Sequence, residues 1–421
     1  MRIDDFNVSP SPPNPIRRAY DASIELAKTN GQHRSRVLQA MAEAIQKKQN
    51  DILEANTLDL EASRELGVSE SVSEWLKLTP ERLETTVQIL RRLGELPDPI
   101  GRVIGSSSPL EQGQTYYQQI PIGVVGLIYE AFPELGAIAA GLCMKTANSL
   151  ILLGGSEANY SNQVIAYALQ SAIEDTGMPI GCLEVFSSEQ GATIEDLVLQ
   201  DQYINLIIPY GRPHLVHQVV TQSTVPILRS VMGNCYLYWS ATASVEMVKW
   251  MILESHQSKP DPVNAIEKVL VAPNQKGLSL SRLWNSLQEE GFKLKGDEHL
   301  VQEFPELAEA EASEWSRPYL NKTIAFREVE SLEEAISWMN EHSSGHSNCL
   351  ATESYSESRQ FASDVNSALT FINASPRFSR HRNRGEAIFL GVSNQVGYRR
   401  GLIGLESLTT IKCIVQGNPS F

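Results

Sequence analysis

From Pro121 to Ala158 the chain passes through an apolar strand (Pro121-Ile122-Gly123-Val124-Val125-Gly126-Leu127-Ile128-Tyr129-Glu130) and a helix over 134–145. A second strand, Ser149-Leu150-Ile151-Leu152-Leu153, then leads into Gly154-Gly155-Ser156-Glu157-Ala158 and another helix. Two strands that are apolar along their whole length, joined through a helix, commit the chain to a parallel sheet covered on both faces. Ligands of such a sheet gather at the carboxyl ends of its strands, so the glycine turn is the first place to look. Free amides at a helix start can cradle a phosphate. A tight strand-to-helix turn asks for the same glycines on geometry alone, and that reading stays open beside the first.

The alternation continues through short strands at Cys182–Phe186, Leu206–Pro209 and Cys235–Tyr238, then through a second region from about 245 to 370 with strands at Lys268–Ala272, Thr323–Phe326 and Ala368–Asn373. Residues 15–100 read as helix after helix, with Thr79-Pro80 a capped start. The half-polar strand at 112–119 and the apolar tail Thr409–Gln416 are strands without an obvious sheet. Together they suggest an arm that pairs with another subunit.

A chain of 421 residues exceeds one ordinary core. Its 42% hydrophobic and 20% charged residues fit a globular protein, and a net charge of −15 disfavours nucleic acid and anionic membranes as partners. No stretch approaches the ~20 apolar residues of a membrane span, and the polar, Pro-rich start lacks a secretory pattern. The five cysteines (Cys143, Cys182, Cys235, Cys349, Cys413) are odd in number and without metal-site or disulfide spacing. These features lead us to expect a cytoplasmic protein with reduced thiols and no metal. His214 and His217 have ligand-like spacing but no acidic or thiol companion, and read as surface residues.

Pro121–Glu130, Lys145–Asn148, Gly154–Ala158, Asn264–Glu267, Ser344–Ser347, Phe371–Phe378 and Gly404–Thr410 together resemble γ-glutamyl phosphate reductase, also called glutamate-5-semialdehyde dehydrogenase, of the aldehyde dehydrogenase superfamily. The matches run in order over almost the whole chain. The resemblance implies an α/β fold with two doubly wound, Rossmann-like domains and a β oligomerisation arm. It assigns 1–111 and 122–236 to an NADP-binding domain, with 370–396 returning to it. It assigns 237–369 to a catalytic domain, and 112–121 and 397–421 to the arm. It implies NADPH-dependent reduction of glutamyl 5-phosphate to glutamate 5-semialdehyde, in proline synthesis, through a thioester on cysteine. A homodimer or higher homo-oligomer follows from the arm.

Against that pattern, Val263 stands where the family places its nucleophilic cysteine, directly before Asn264-Ala265. Phe132, Leu153 and Tyr210 stand at arginine positions, Tyr236 at a histidine, Met232 at an acidic residue and Gln395 at a glutamate. Arginines hold phosphates and carboxylates bidentately, so these differences point one way, toward a lost substrate site. By resemblance, Lys145, Gly154, Gly155, Ser156, Glu157 and Gln395 would contact NADP, held weakly or no longer held. His346 could line the cleft, and Arg377, Arg380, His381, Arg382 and Arg384 form a basic cluster the family does not supply. Three readings follow: a homologue impaired in thioester chemistry, an active NADP-dependent reductase with a relocated nucleophile, and a structural or regulatory subunit that uses only the arm.

Overall fold

The computed structural model describes residues 14–106, 113–179, 181–186, 191–257, 264–275, 277–380 and 387–417. Val263, His381, Arg382 and Arg384 lie outside these residues. The helical prelude comprises Pro15–Leu26, Gly31–Lys47, Gln49–Glu65, Glu70–Leu76 and Pro80–Glu95. Three of its five starts carry side-chain caps: Asn14 accepts from the Ile16 amide, Asn30 from His33 and Thr79 from Arg82. The prelude packs on helix Pro133–Lys145, every residue of which is buried. That burial explains a helix apolar on all sides. Gly141 lets the packing close, because a Cβ there would meet Leu90 and Leu93 at 2.6 and 2.9 Å.

The first sheet has five parallel strands in the order Leu183–Phe186, Ser149–Gly154, Val124–Tyr129, Leu206–Gly211 and Ser230–Val231. Its central strand is buried on both faces. Val125, Leu127 and Tyr129 join the core shared with the helical prelude, and Val124 and Ile128 join the core on the other side. The chain starts at Val124–Tyr129, moves outward one way, then returns to place Leu206–Gly211 against the other flank. A topological switch therefore falls between these two strands, and a crevice opens at their carboxyl ends.

The second sheet has seven parallel strands: Ala308–Glu309, Lys293–Gly296, Thr323–Glu328, Ile266–Val271, Cys235–Trp239, Ser347–Ala351 and Leu369–Ile372. Cys235 and Tyr236 belong to it, as do Thr370, Phe371 and Ile372, so it reaches past the expected 237–369 at both ends. Two parallel sheets in one chain give the α/β architecture with two Rossmann-like halves that the sequence led us to expect.

The third sheet is antiparallel. Gly113–Pro121 lies between Val103–Ser106 and Thr409–Gly417, with register from Thr409↔Pro121 to Gly417↔Gly113. Asn148 roots this arm by accepting from the Gly123 amide and donating to the Leu408 carbonyl at 2.7 Å. Two details differ from expectation. Val103–Ser106 adds a third strand, and Gly401–Ile403 leaves the arm to pair with Gly391–Ser393. No described helix is long and apolar enough to cross a membrane.

Candidate active site

The switch crevice is packed rather than open. Phe132, at the start of helix Pro133–Lys145, is fully buried, stacks on Trp75 at 5.4 Å and meets Tyr210 edge-on at 5.8 Å. Tyr210 ends the neighbouring strand, and its hydroxyl accepts from Arg380 Nη2 at 3.1 Å. The Arg380 guanidinium also lies over the rings of Tyr210 and Phe378. Gly391 has no side chain where a Cβ would come within 2.6 Å of the Tyr210 ring. Phe132, Tyr210 and Leu153, which the resemblance aligned with arginines, are all buried.

Charge at this edge is paired internally. Glu130 accepts from the Arg212 amide, and its second oxygen from Nη2 at 2.8 Å. Arg82 and Glu134 form a second pair, buried between prelude and sheet. Glu157 takes a third position. Its Oε1 accepts from the Ala131 amide at 2.6 Å, and burial pushes its carboxyl above the ordinary range. Ala131 sits at φ 58, left-handed backbone that costs a non-glycine residue about 1 kcal/mol or more.

The glycine turn follows the same logic. Gly155 donates its amide to the Tyr129 carbonyl at 2.8 Å and sits at an ordinary φ of −62, so left-handed backbone is not why it is glycine. A Cβ at Gly155 would lie 2.2 to 2.5 Å from the Glu157 carboxylate, and one at Gly154 would lie 2.3 Å from Asn162 Nδ2. Ser156 opens the short 3-10 turn Ser156–Ala158. A dinucleotide pyrophosphate needs the space and the amides of such a turn. Here both glycines accommodate the protein's own polar side chains, and the crevice beside them is filled by rings. The residues present do not fit the group.

Two candidate contacts lie elsewhere. Lys145 is at the end of its helix, hence at the amino edge of the sheet, opposite the turn. It is fully buried, with its ammonium on the Leu96 carbonyl and 3.4 Å from Ser35 Oγ. In this structure the Lys145 ammonium, expected to contact NADP, ties the helix to the prelude. Gln395 uses its side-chain oxygen to accept from the Arg229 amide at 3.3 Å.

Asn264 precedes strand Ile266–Val271 of the second sheet. It is buried, donates to the Pro376 carbonyl at 3.1 Å, and its Oδ1 has no hydrogen-bond partner among the described residues. Helix Val245–Ser255 is tied to the same strand by His256, whose Nε2 donates to the Ile266 carbonyl at 2.9 Å. Segment 373–380 straps the two halves together. Pro376 meets Asn264, Arg377 pairs with Glu254 at 3.1 Å, Phe378 enters the core of the first sheet, and Arg380 meets Tyr210. His346 is buried beside Ser344, 3.0 Å from its hydroxyl. Among the described residues no cluster of metal-ligating side chains occurs. The Glu130–Arg212 pair, the Ala131 amide and the Arg380–Tyr210 contact escaped sequence reasoning, since each joins segments far apart in the chain.

Comparison with known proteins agrees with this architecture. A model of the aldehyde dehydrogenase family matches residues 14–233. Over 400 residues, 95% of each chain, the sequence is 51% identical to gamma-glutamyl phosphate reductase 2 of Synechocystis sp.. It is 36% identical over 402 residues, 96% of each chain, to gamma-glutamyl phosphate reductase of Gloeobacter violaceus. The crystal structure of gamma-glutamyl phosphate reductase from Thermotoga maritima superposes with a TM-score of 0.88 at 29% identity, covering 97% of this chain and 98% of that one. A propionaldehyde dehydrogenase from Clostridium phytofermentans shares the fold at 14% identity and a TM-score of 0.68. The chain belongs to the aldehyde dehydrogenase family and, within it, to the gamma-glutamyl phosphate reductases.

Proposed function

We propose that this gamma-glutamyl phosphate reductase homologue no longer performs thioester chemistry on an acyl phosphate. In that chemistry a thiolate attacks the acyl carbon, the carbon–sulfur bond forms and phosphate leaves. The step needs a thiol that is both accessible and ionised near neutral pH.

The observation that carries the reading is the placement of all five cysteines. Cys143, Cys182, Cys235 and Cys349 are buried, and Cys413 is exposed on the arm. Cys235 is the one whose strand begins beside Ile266, two residues from Asn264. Burial pushes its thiol up to about 12, and Ser347 donates to its sulfur at 3.1 Å. Such a group is ionised to only about one part in 10⁵ at pH 7. Burial likewise pushes Cys182 up to about 12, and Cys143 and Cys349 well above the ordinary thiol value. Val263, at the position where the resemblance places the nucleophile, supplies an aliphatic side chain instead. The refilled crevice supports the same reading for NADP, which would be held weakly or not at all.

The test is an assay of NADP-linked oxidation of glutamate 5-semialdehyde in the presence of phosphate, on the wild type and on a variant with all five cysteines changed to serine. We expect no turnover above the blank in either. Turnover in the wild type that Cys235→Ser abolishes would establish a relocated nucleophile. Turnover that persists without any cysteine would reject the thiol argument itself. The third reading, a subunit that works through its arm, is favoured by the apolar face of strand Thr409–Gly417, where Ile411 and Val415 are exposed.

A further inference from the structure

Of the carboxylates at this edge of the sheet, one is held by a backbone amide and, among the described residues, by no cation within ion-pair distance. Glu130 is held by Arg212 and Glu134 by Arg82. The Glu157 carboxylate is held by the Ala131 amide, 2.6 Å from Oε1, in the space that the missing Cβ of Gly155 leaves free. It thus sits where a glycine turn conventionally receives a phosphate: against backbone amide, at the carboxyl edge of a parallel sheet, just before helix Asn159–Asp175. A carboxylate and a phosphate cannot share that space, because like charges at this separation repel strongly in a buried setting. The contact joins the end of strand Val124–Tyr129 to the glycine turn, and Ala131 itself holds left-handed backbone at φ 58.

We propose that Glu157 is an internal anion that closes the glycine turn to nucleotide phosphates, so that a nicotinamide nucleotide binds there only by displacing it. The inference rests on the reading above in one respect, namely that this turn is the nucleotide side of the molecule. It differs sharply from the role the resemblance implied for the same residue. A Glu157 that contacts a bound nucleotide favours binding, whereas a Glu157 that occupies the phosphate position opposes it.

The experiment is calorimetric titration of the full chain with NADPH, and separately with ADP, for the wild type, Glu157→Ala and Glu157→Gln. Removing the carboxylate should tighten NADPH binding by roughly tenfold or more. Glu157→Gln should gain less, because its carboxamide oxygen can still accept from the Ala131 amide while losing the charge. ADP should follow NADPH, since both place phosphate in the turn. Thermal melts of the same samples check folding, and Glu157→Ala should melt lower than Glu157→Gln because it leaves the Ala131 amide unpartnered. Weaker or unchanged affinity in Glu157→Ala would overturn the proposal, and so would an absence of binding in every variant. Turnover of glutamate 5-semialdehyde, followed in parallel, separates this proposal from the previous one. A variant that binds tightly without turnover supports both, while turnover would reject the loss of thioester chemistry and leave the closed turn standing.

Discussion

Phe132 fills the crevice at the switch point with an aromatic ring. Its ring fills the space between Trp75 and Tyr210 with no exposure to solvent. Phe132→Arg would bury a guanidinium against two rings, and an unpaired buried charge costs several kcal/mol. We expect Phe132→Arg to destabilise the protein by about 3 kcal/mol or more, against about 1 kcal/mol for Phe132→Leu, in urea unfolding. An arginine variant as stable as the leucine one would mean that the crevice opens to water and can still receive an anion. His256 gives a second test at this scale. Burial lowers its pKa below the ordinary 6.5, while its bond to the Ile266 carbonyl only partly offsets that. The folded state thus binds its proton less readily than the unfolded chain does. Its contribution to stability is complete above pH 6.5 and is lost as the pH falls toward the lowered value. Melting temperature should accordingly fall between pH 7 and pH 5.5, and His256→Gln should flatten that part of the profile. An unchanged slope in the variant would remove His256 from the account. At this scale the sequence was informative about identity and silent about company. Val263, Phe132 and Tyr210 could be singled out by their type, but the stack that Phe132 makes with Trp75 depends on a helix more than fifty positions earlier. Lys145 is silent for the same reason: a lysine at a helix end looks the same in sequence whether it faces a ligand or the Leu96 carbonyl.

Among the elements, those with strong periodicity or continuous apolar runs were legible. Val124–Tyr129 was expected within the longer run Pro121–Glu130, and Ser149–Gly154 to within one residue, because burial on both faces leaves a run without polar interruption. Ser347–Ala351 was missed, although it lies inside the second sheet, paired between Cys235–Trp239 and Leu369–Ile372. Its sequence, Ser-Asn-Cys-Leu-Ala, satisfies its polar groups through neighbours such as Cys235 and Ser343, so it lacks the apolar signature of a central strand. The short strand Gly391–Ser393 is likewise unreadable alone, because it is positioned by what it touches. Ser230 donates to the Val392 carbonyl at 2.9 Å, and Gly391 lies under the Tyr210 ring. This makes a prediction about the element rather than the residue. Gly391→Ala should cost about 1–3 kcal/mol, the usual range for overpacking a closed contact. In a Tyr210→Ala background most of that cost should vanish, leaving a coupling of about 1 kcal/mol or more in a double-mutant cycle. Additive effects would show that the strand does not depend on the ring, and that the strap from Asn373 to Arg380 is held by its other contacts.

For the whole molecule the arm is the feature that one copy leaves incomplete. Thr409–Gly417 is an edge strand with one backbone side unpaired, and its outward face carries Ile411 and Val415, 51% and 61% exposed, with Cys413 between them. Tyr117, opposite Cys413 in the register, adds a partly exposed ring to the same face. Nature rarely leaves a long apolar edge uncovered, since it templates pairing with another chain. A second copy of the arm would cover it symmetrically, as closed homo-oligomers do. We therefore expect sedimentation velocity to give a mass that is a multiple of the 46.6 kDa chain. The double variant Ile411→Lys, Val415→Lys should shift it to the single-chain mass without loss of helical circular dichroism, because the substitutions fall on exposed positions. Cys413 provides an independent readout. The other four thiols are buried within the chain, so a covered arm should give no rapidly reacting thiol with an aromatic disulfide reagent, and the lysine variant should give one. A wild-type chain that sediments at the single-chain mass and reacts at Cys413 would mean that the arm's face is satisfied by water. The subunit reading of this homologue would then lose the surface that favours it.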